Sequence, residues 1–159
     1  MTMPAQRPGR SEQTVCTPDD FLEAVVRKFG RLTLDAAASH MNAVAPSYYW
    51  DDPSGRMDGL APLNSWVSPG NSWCNPPFGN IAPWTAKAAS EAATGARVLM
   101  LVPLSISRWW PEEGTCAVWL LKGRLTFKGH TSPYPKDMAL LQYGPAVMPG
   151  YRVWDWRLK

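Results

Sequence analysis

Hydrophobic residues recur along the chain with two different periods, and the change of period marks its elements. Phe21, Leu22, Val25, Val26 and Phe29 fall at the three- and four-residue spacing of one helix face. Thr17 offers a hydroxyl N-cap, Pro18 suits the first helical position, Asp19 and Asp20 give an acidic first turn, and Gly30 supplies the stop. Leu32 and Leu34 then flank Thr33 in a brief strand expected to end at Asp35, ahead of the small run Ala36, Ala37, Ala38 and Ser39. An acid where a buried strand runs out is a common place to meet a ligand.

Residues 42–72 are rich in Pro, Gly, Ser and aromatic side chains and predict at most one strand or helical turn. Trp73 and Cys74 read as the end of a strand, and an alanine-rich helix follows over about 81–94, closed by Gly95. The apolar run Val98 to Val102 predicts a strand buried on both faces. After the loop SISRWWPEEGT, the stretch CAVWLLKGRLTFKG divides into two strands around Lys122 and Gly123. MALLQY is a further apolar run, and VWDWRLK alternates as an edge strand or a short tail. The expected fold class is α/β, a mixed sheet with parallel crossovers first and an antiparallel C-terminal hairpin last.

A chain of 159 residues with 45% hydrophobic and 18% charged composition is expected to form one globular domain, here residues 14–159, after a polar, disordered tail over 1–13. No segment approaches the roughly 18 apolar residues of a membrane span. Cys16, Cys74 and Cys116 are odd in number and form no CxxC, which points to neither a disulfide framework nor a metal site. A reducing cytoplasm is the expected compartment. Residues 1–107 carry eight Lys/Arg against nine Asp/Glu, whereas residues 108–159 carry eight against four. The asymmetry points to an anionic partner near the last third, with solvated surface charge as the plainer reading. Nine tryptophans are too many for all to be core, since each indole N–H needs a partner, and one or two could stack on bases.

The chemistry is concentrated in WCNPPFGN. Asn75 can accept through its side-chain oxygen and Pro76 through its carbonyl, while Pro76 and Pro77 remove two donors and fix a rigid turn. Phe78 adds an aromatic face. A planar group bearing NH2 fits this arrangement, and an adenine swung out of a duplex is one such group. A structural double-proline turn followed by a core phenylalanine is the competing reading of the tetrapeptide alone.

Four segments in order, TPDDF, LDAAASHMNA, WCNPPFGNIAPW and KGRLTFKG, resemble the bacteriophage-type DNA N6-adenine methyltransferases, the phage Dam-like family, across residues 17–143. The resemblance implies S-adenosylmethionine as methyl donor and a Rossmann-like, seven-stranded methyltransferase fold. It assigns catalysis to Asn75, Pro76, Pro77 and Phe78. Thr17 and Pro18 would border the methionine end of the cofactor, Asp35 and Ala36 the adjoining strand edge, and Asp58, in DGL, the adenosine. Alanines stand at 36–38 where methyltransferases at large carry a glycine-rich loop. Each borrowed site has a plainer role: Thr17 as helix cap, Asp35 as cap of a following element, Asp58 as a solvated turn acid. The substrate implied is double-stranded DNA, with Arg108, Lys122, Arg124, Lys128 and Lys136 available to phosphates. Such motifs also serve enzymes acting on RNA bases or protein glutamine, and a non-catalytic DNA-binding descendant is the alternative from another class. His40 and His130 have no partner motif and read as surface histidines.

Overall fold

Six of the seven strands of the central sheet run one way and one runs against them. The computed structural model describes residues 15–159, so the expected tail over 1–13 lies outside the described residues. In chain order the elements are α1 (Asp19–Phe29), β1 (Leu32–Ala38), β2 (Ser47–Trp50), β3 (Asn71–Cys74), α2 (Ala82–Ala93), β4 (Val98–Pro103), β5 (Ala117–Leu121), β6 (Met138–Tyr143) and β7 (Gly150–Trp154). The sheet order is β2-β1-β3-β4-β6-β5-β7, with β6 antiparallel to both β4 and β5. This is an α/β fold with a mixed sheet, consistent with a methyltransferase-like architecture.

Alternation along β4 sorts the core into two layers. Leu99 and Leu101 face α1, where Phe21, Ala24 and Val25 pack with Trp73, Leu140 and Trp156. Val98, Met100 and Val102 face α2, where Trp84 and Ala88 pack with Trp66, Cys74 and Leu141. Every residue of β4 is buried, as a continuous apolar run in a sheet covered on both faces requires. None of the nine tryptophans is exposed: Trp66, Trp73, Trp84, Trp110 and Trp156 are buried and the other four half-buried.

Four expectations are corrected. The strand begun at Leu32 does not stop at Asp35 but runs to Ala38, because the small, buried Ala36 and Ala38 let β1 stay between β2 and β3. The region 116–129 holds one strand, not two. Beyond Leu121 the chain turns at Gly123, whose φ of +81° favours glycine, and residues 124–128 cannot pair beside β5, since β6 and β7 already flank it. Only an isolated bridge between Cys16 and Lys128 remains there. The antiparallel pair β5 and β6 is therefore joined by the long segment 122–137 rather than by a hairpin turn. Thr17 does not cap α1 either: Pro18 holds the N-cap position with extended backbone and no side-chain bond closes the helix end.

The irregular stretch 42–72 contains one whole strand, β2, and the start of β3 at Asn71, and its remainder is tied down by side chains. Trp66 Nε1 donates to the Gly59 carbonyl at 2.9 Å, and the Trp66 amide donates to Glu91 Oε2 at 2.8 Å. Glu91 is buried on α2, and although burial disfavours its charge, Lys87 at 2.9 Å and the Trp66 and Ser65 donors hold its carboxyl below the usual range. This acid is a structural anchor for the 51–70 crossover.

Candidate functional site

The chain leaves β1 toward β2 on one side and reaches β3 and β4 on the other, so the order β2-β1-β3-β4 reverses between β1 and β3. At such a switch point the connections part and leave a crevice beyond the carboxyl ends of the strands. Cys74 ends β3 at this edge, and Asn75, Pro76, Pro77 and Phe78 form the exit. Since β5 runs parallel to β4, the segment 122–137 leaves from the same edge, and so does the N-terminus of α1 with residues 15–18.

Asn75 is gripped by that N-terminal segment. Its Nδ2 donates to the Val15 carbonyl at 2.9 Å and to Thr17 Oγ1 at 3.3 Å. A carbonyl can only accept, so the amide nitrogen must face Val15, and the orientation of the side chain is fixed. Asn75 Oδ1 is consequently turned the other way, where it is buried and has no hydrogen-bond partner. A buried acceptor left unpaired costs about 1–3 kcal/mol, and such groups in a folded protein call for a reason. Thr17, buried itself, spends its hydroxyl on this grip. Pro76 is buried behind Asn75, and Pro77 is half-buried with its carbonyl accepting from the Asn80 amide at 3.2 Å.

Phe78 is half-buried and joins two rings that composition and motif reading passed over: Phe127 at 6.1 Å and Tyr134 at 5.5 Å between centroids, all edge-on. Phe127 closes the GRLTF segment, and the Lys128 amide donates to the Cys16 carbonyl at 3.0 Å. Beside this cluster lies a cleft of about 360 Å³ lined by Val15, Phe127, His130, Thr131, Pro133 and Tyr134 among others. His130 thus sits at the cleft, whereas His40 does not line it and packs at a tilt against Trp50, with 4.0 Å between ring centroids. The signal in the sequence was the SPYP turn placed after GRLTF, an aromatic held between prolines.

Asp35 pairs in register with Trp73, one residue short of the end of β3. Its Oδ1 accepts from the Ala37 amide at 3.2 Å and its Oδ2 from the Val44 amide at 3.1 Å, which holds the short β1-to-β2 crossover. Burial dominates, pushing the carboxyl up to about 6 against the pull of these two amides. Ala36, fully buried, presents its carbonyl to Gly59, next to Asp58. Asp58 Oδ1 accepts from the Leu60 amide at 2.9 Å and its carbonyl from Asn64 Nδ2 at 2.7 Å, forming a tight turn. Pro18 stands at the head of α1 beside Thr17.

Because the folded state holds the Asp35 proton up to pH about 6 while the unfolded chain releases it near 3.8, the native state binds more protons across that window. Stability attributable to this group therefore falls as pH rises from about 4 to about 6, by on the order of 3 kcal/mol. Asp35→Asn should flatten this decline in urea unfolding measured at pH 4, 5, 6 and 7. An equally steep decline in the variant would place its origin elsewhere.

The five basic candidates are exposed. Lys122, Arg124, Lys128 and Lys136 lie on the 122–137 segment, and Arg108 on the loop after β4. Lys122 faces Asp155 at 3.9 Å, Arg124 faces Asp137 at 3.7 Å and Lys128 faces Asp19 at 2.5 Å. Exposed pairs of this kind are worth about 0–1 kcal/mol and are readily exchanged for another anion. Arg157 gives the segment shape, donating to the Lys122 carbonyl at 3.1 Å and the Arg124 carbonyl at 3.0 Å. Among the described residues no group of three or more His, Cys, Asp or Glu could hold a metal ion, and no helix is long and apolar enough to cross a membrane.

Comparison with known proteins agrees with the geometry. No curated protein matches the chain. A family model described as DNA N-6-adenine-methyltransferase (Dam) matches residues 7–138, which takes in α1, the Asp35 strand, the NPPF exit and the whole 122–137 segment. The chain belongs to the DNA N-6-adenine-methyltransferase (Dam) family.

Proposed function

We propose that the protein transfers a methyl group from S-adenosylmethionine to the N6 amino group of adenine in double-stranded DNA. The observation that carries this reading is the buried, partnerless Oδ1 of Asn75, fixed at the switch-point edge by Val15 and Thr17. An exocyclic amine is the donor this oxygen lacks. With one N6 hydrogen on Asn75 Oδ1 and the other on the Pro76 carbonyl, the nitrogen lone pair is drawn out of conjugation with the ring. Phe78 then holds the base by its face, a contact worth about 1–3 kcal/mol that offsets extrusion from the duplex.

Bound S-adenosylmethionine supplies a methyl group already activated on a sulfonium sulfur, so the protein needs no nucleophile of its own. Its cationic ammonium and its ribose hydroxyls suit the carboxylates that flank β1, Asp35 within the strand and Asp58 in the turn beside Ala36. Thr17 and Pro18 border the same crevice from the head of α1. In this reading the sheet is a Rossmann-like methyltransferase sheet within a single domain. Lys122, Arg124, Lys128 and Lys136, with Arg108, meet phosphates as their acidic neighbours give way.

The test is methyl transfer from tritiated S-adenosylmethionine to unmethylated duplex DNA, followed by digestion to nucleosides and chromatography. Label is expected in N6-methyldeoxyadenosine. Label confined to methylated cytosine, or transfer only to RNA or to protein glutamine, would overturn the substrate assignment. Cofactor binding without transfer to any acceptor would leave a binding module instead.

A further inference from the structure

At the edge of the sheet opposite Asn75, basic side chains gather without acidic partners. A groove of about 340 Å³ there is lined by Phe29, Arg97, Trp119, Gln142 and Arg152, with the 144–148 loop as its outer wall. Lys28 Nζ lies 4.5 Å from the Trp119 ring and the Arg152 guanidinium 5.2 Å from it. No acid lines the groove, and none of Lys28, Arg97 and Arg152 forms an ion pair among the described residues.

The two guanidinium groups are only partly satisfied. Arg97 Nη2 donates to the Pro69 carbonyl at 2.7 Å, and Arg152 Nη2 to the Met148 carbonyl at 3.2 Å. Arg152 Nη1 is buried and has no partner. A guanidinium presents five N–H donors in a planar fork, and the spare ones match the paired oxygens of a phosphate. Two cations held against one indole, with Arg97 a third on the wall of the same groove, repel one another until an anion enters. The volume is at the lower end for small-molecule sites, sufficient for one nucleotide unit. Because β4 alone spans about 20 Å between the two edges, a group in this groove is not on the adenine at Asn75.

We propose that this groove is a phosphate-binding site separate from the methyl-transfer edge, taking the phosphate of a nucleotide, free or within a strand. The probe is inorganic pyrophosphate, compared with chloride at equal ionic strength in thermal unfolding. Wild type is set against Arg97→Gln/Arg152→Gln and against Ala146→Asp, which places a carboxylate on the exposed rim without removing a packed guanidinium. Pyrophosphate should raise the wild-type midpoint, with apparent affinity lower by about tenfold or more in both variants. No response in wild type, or equal responses in all three proteins, would overturn the proposal. Duplex binding across salt concentrations identifies the source. A salt slope smaller by about two in the double variant assigns the site to strand phosphates, and an unchanged slope with the pyrophosphate response lost assigns it to a free phosphate compound. Neither readout depends on methyl transfer, so failure here and failure of the proposed activity are separable.

Discussion

Asn75→Ala should lower methyl transfer by about 10²- to 10³-fold at saturating DNA and cofactor, the loss seen when one preorganised polar group facing the reacting atoms is removed. The side chain has two functions in the structure, and the variant removes both. Oδ1 is the unpaired acceptor, and Nδ2 ties the 15–17 segment to the exit of β3. Loss of the tie alone costs about 1 kcal/mol of stability and leaves the Val15 carbonyl to find water. Thr17→Val separates the contributions, since it deletes only the longer, 3.3 Å contact and keeps the Val15 bond that orients the amide. Transfer in Thr17→Val should therefore stay within about tenfold of wild type, with a comparable small loss of stability. Equilibrium binding of S-adenosylmethionine should change little in Asn75→Ala. Normal turnover in that variant would remove the amide from catalysis.

What could be read from the chain depended on whether the signal was local. The α1 face, the buried run of β4 and the apolar run of β6 stood out because their periodicity comes from burial on one or both faces. The extension of β1 through Ala36 and Ala38 did not, because alanine has little strand preference and the segment is extended only by its position between two partners. Likewise KGRLTF reads as a strand by its alternation, yet β5 has both edges filled. The NPPF exit could be located from four residues, but the grip on Asn75 could not. It comes from residues about 60 positions upstream, and one of its acceptors is a backbone carbonyl, invisible to any pattern of side chains. Phe127 and Tyr134 were missed for a related reason: Phe78 meets them only because the 122–137 segment emerges at the same sheet edge.

Gly59→Ala should destabilise the fold by about 3 kcal/mol, near the upper end of the usual cost of overpacking. For a domain of this size that corresponds to a fall in melting temperature of roughly 10 °C. A methyl group at Gly59 would lie 1.9 Å from the Ala36 carbonyl oxygen and 3.2 Å from the Trp84 ring. The first neighbour is backbone in the middle of a paired strand, so relief requires the 51–70 crossover to lift away. Lifting it strains the bond from Trp66 Nε1 to the Gly59 carbonyl and pulls on the Glu91 anchor beneath. The same displacement would move Asp58 away from β1, so cofactor affinity should fall together with stability if that turn borders the crevice. Gly79→Ala is the control, because a methyl group there meets nothing within 4 Å although it sits directly after Phe78. Its stability should stay within about 0.5 kcal/mol of wild type. Equal melting temperatures for Gly59→Ala and Gly79→Ala would mean that the crossover does not rest on β1. A loss of stability without loss of cofactor affinity would keep the packing and release Asp58 from the site.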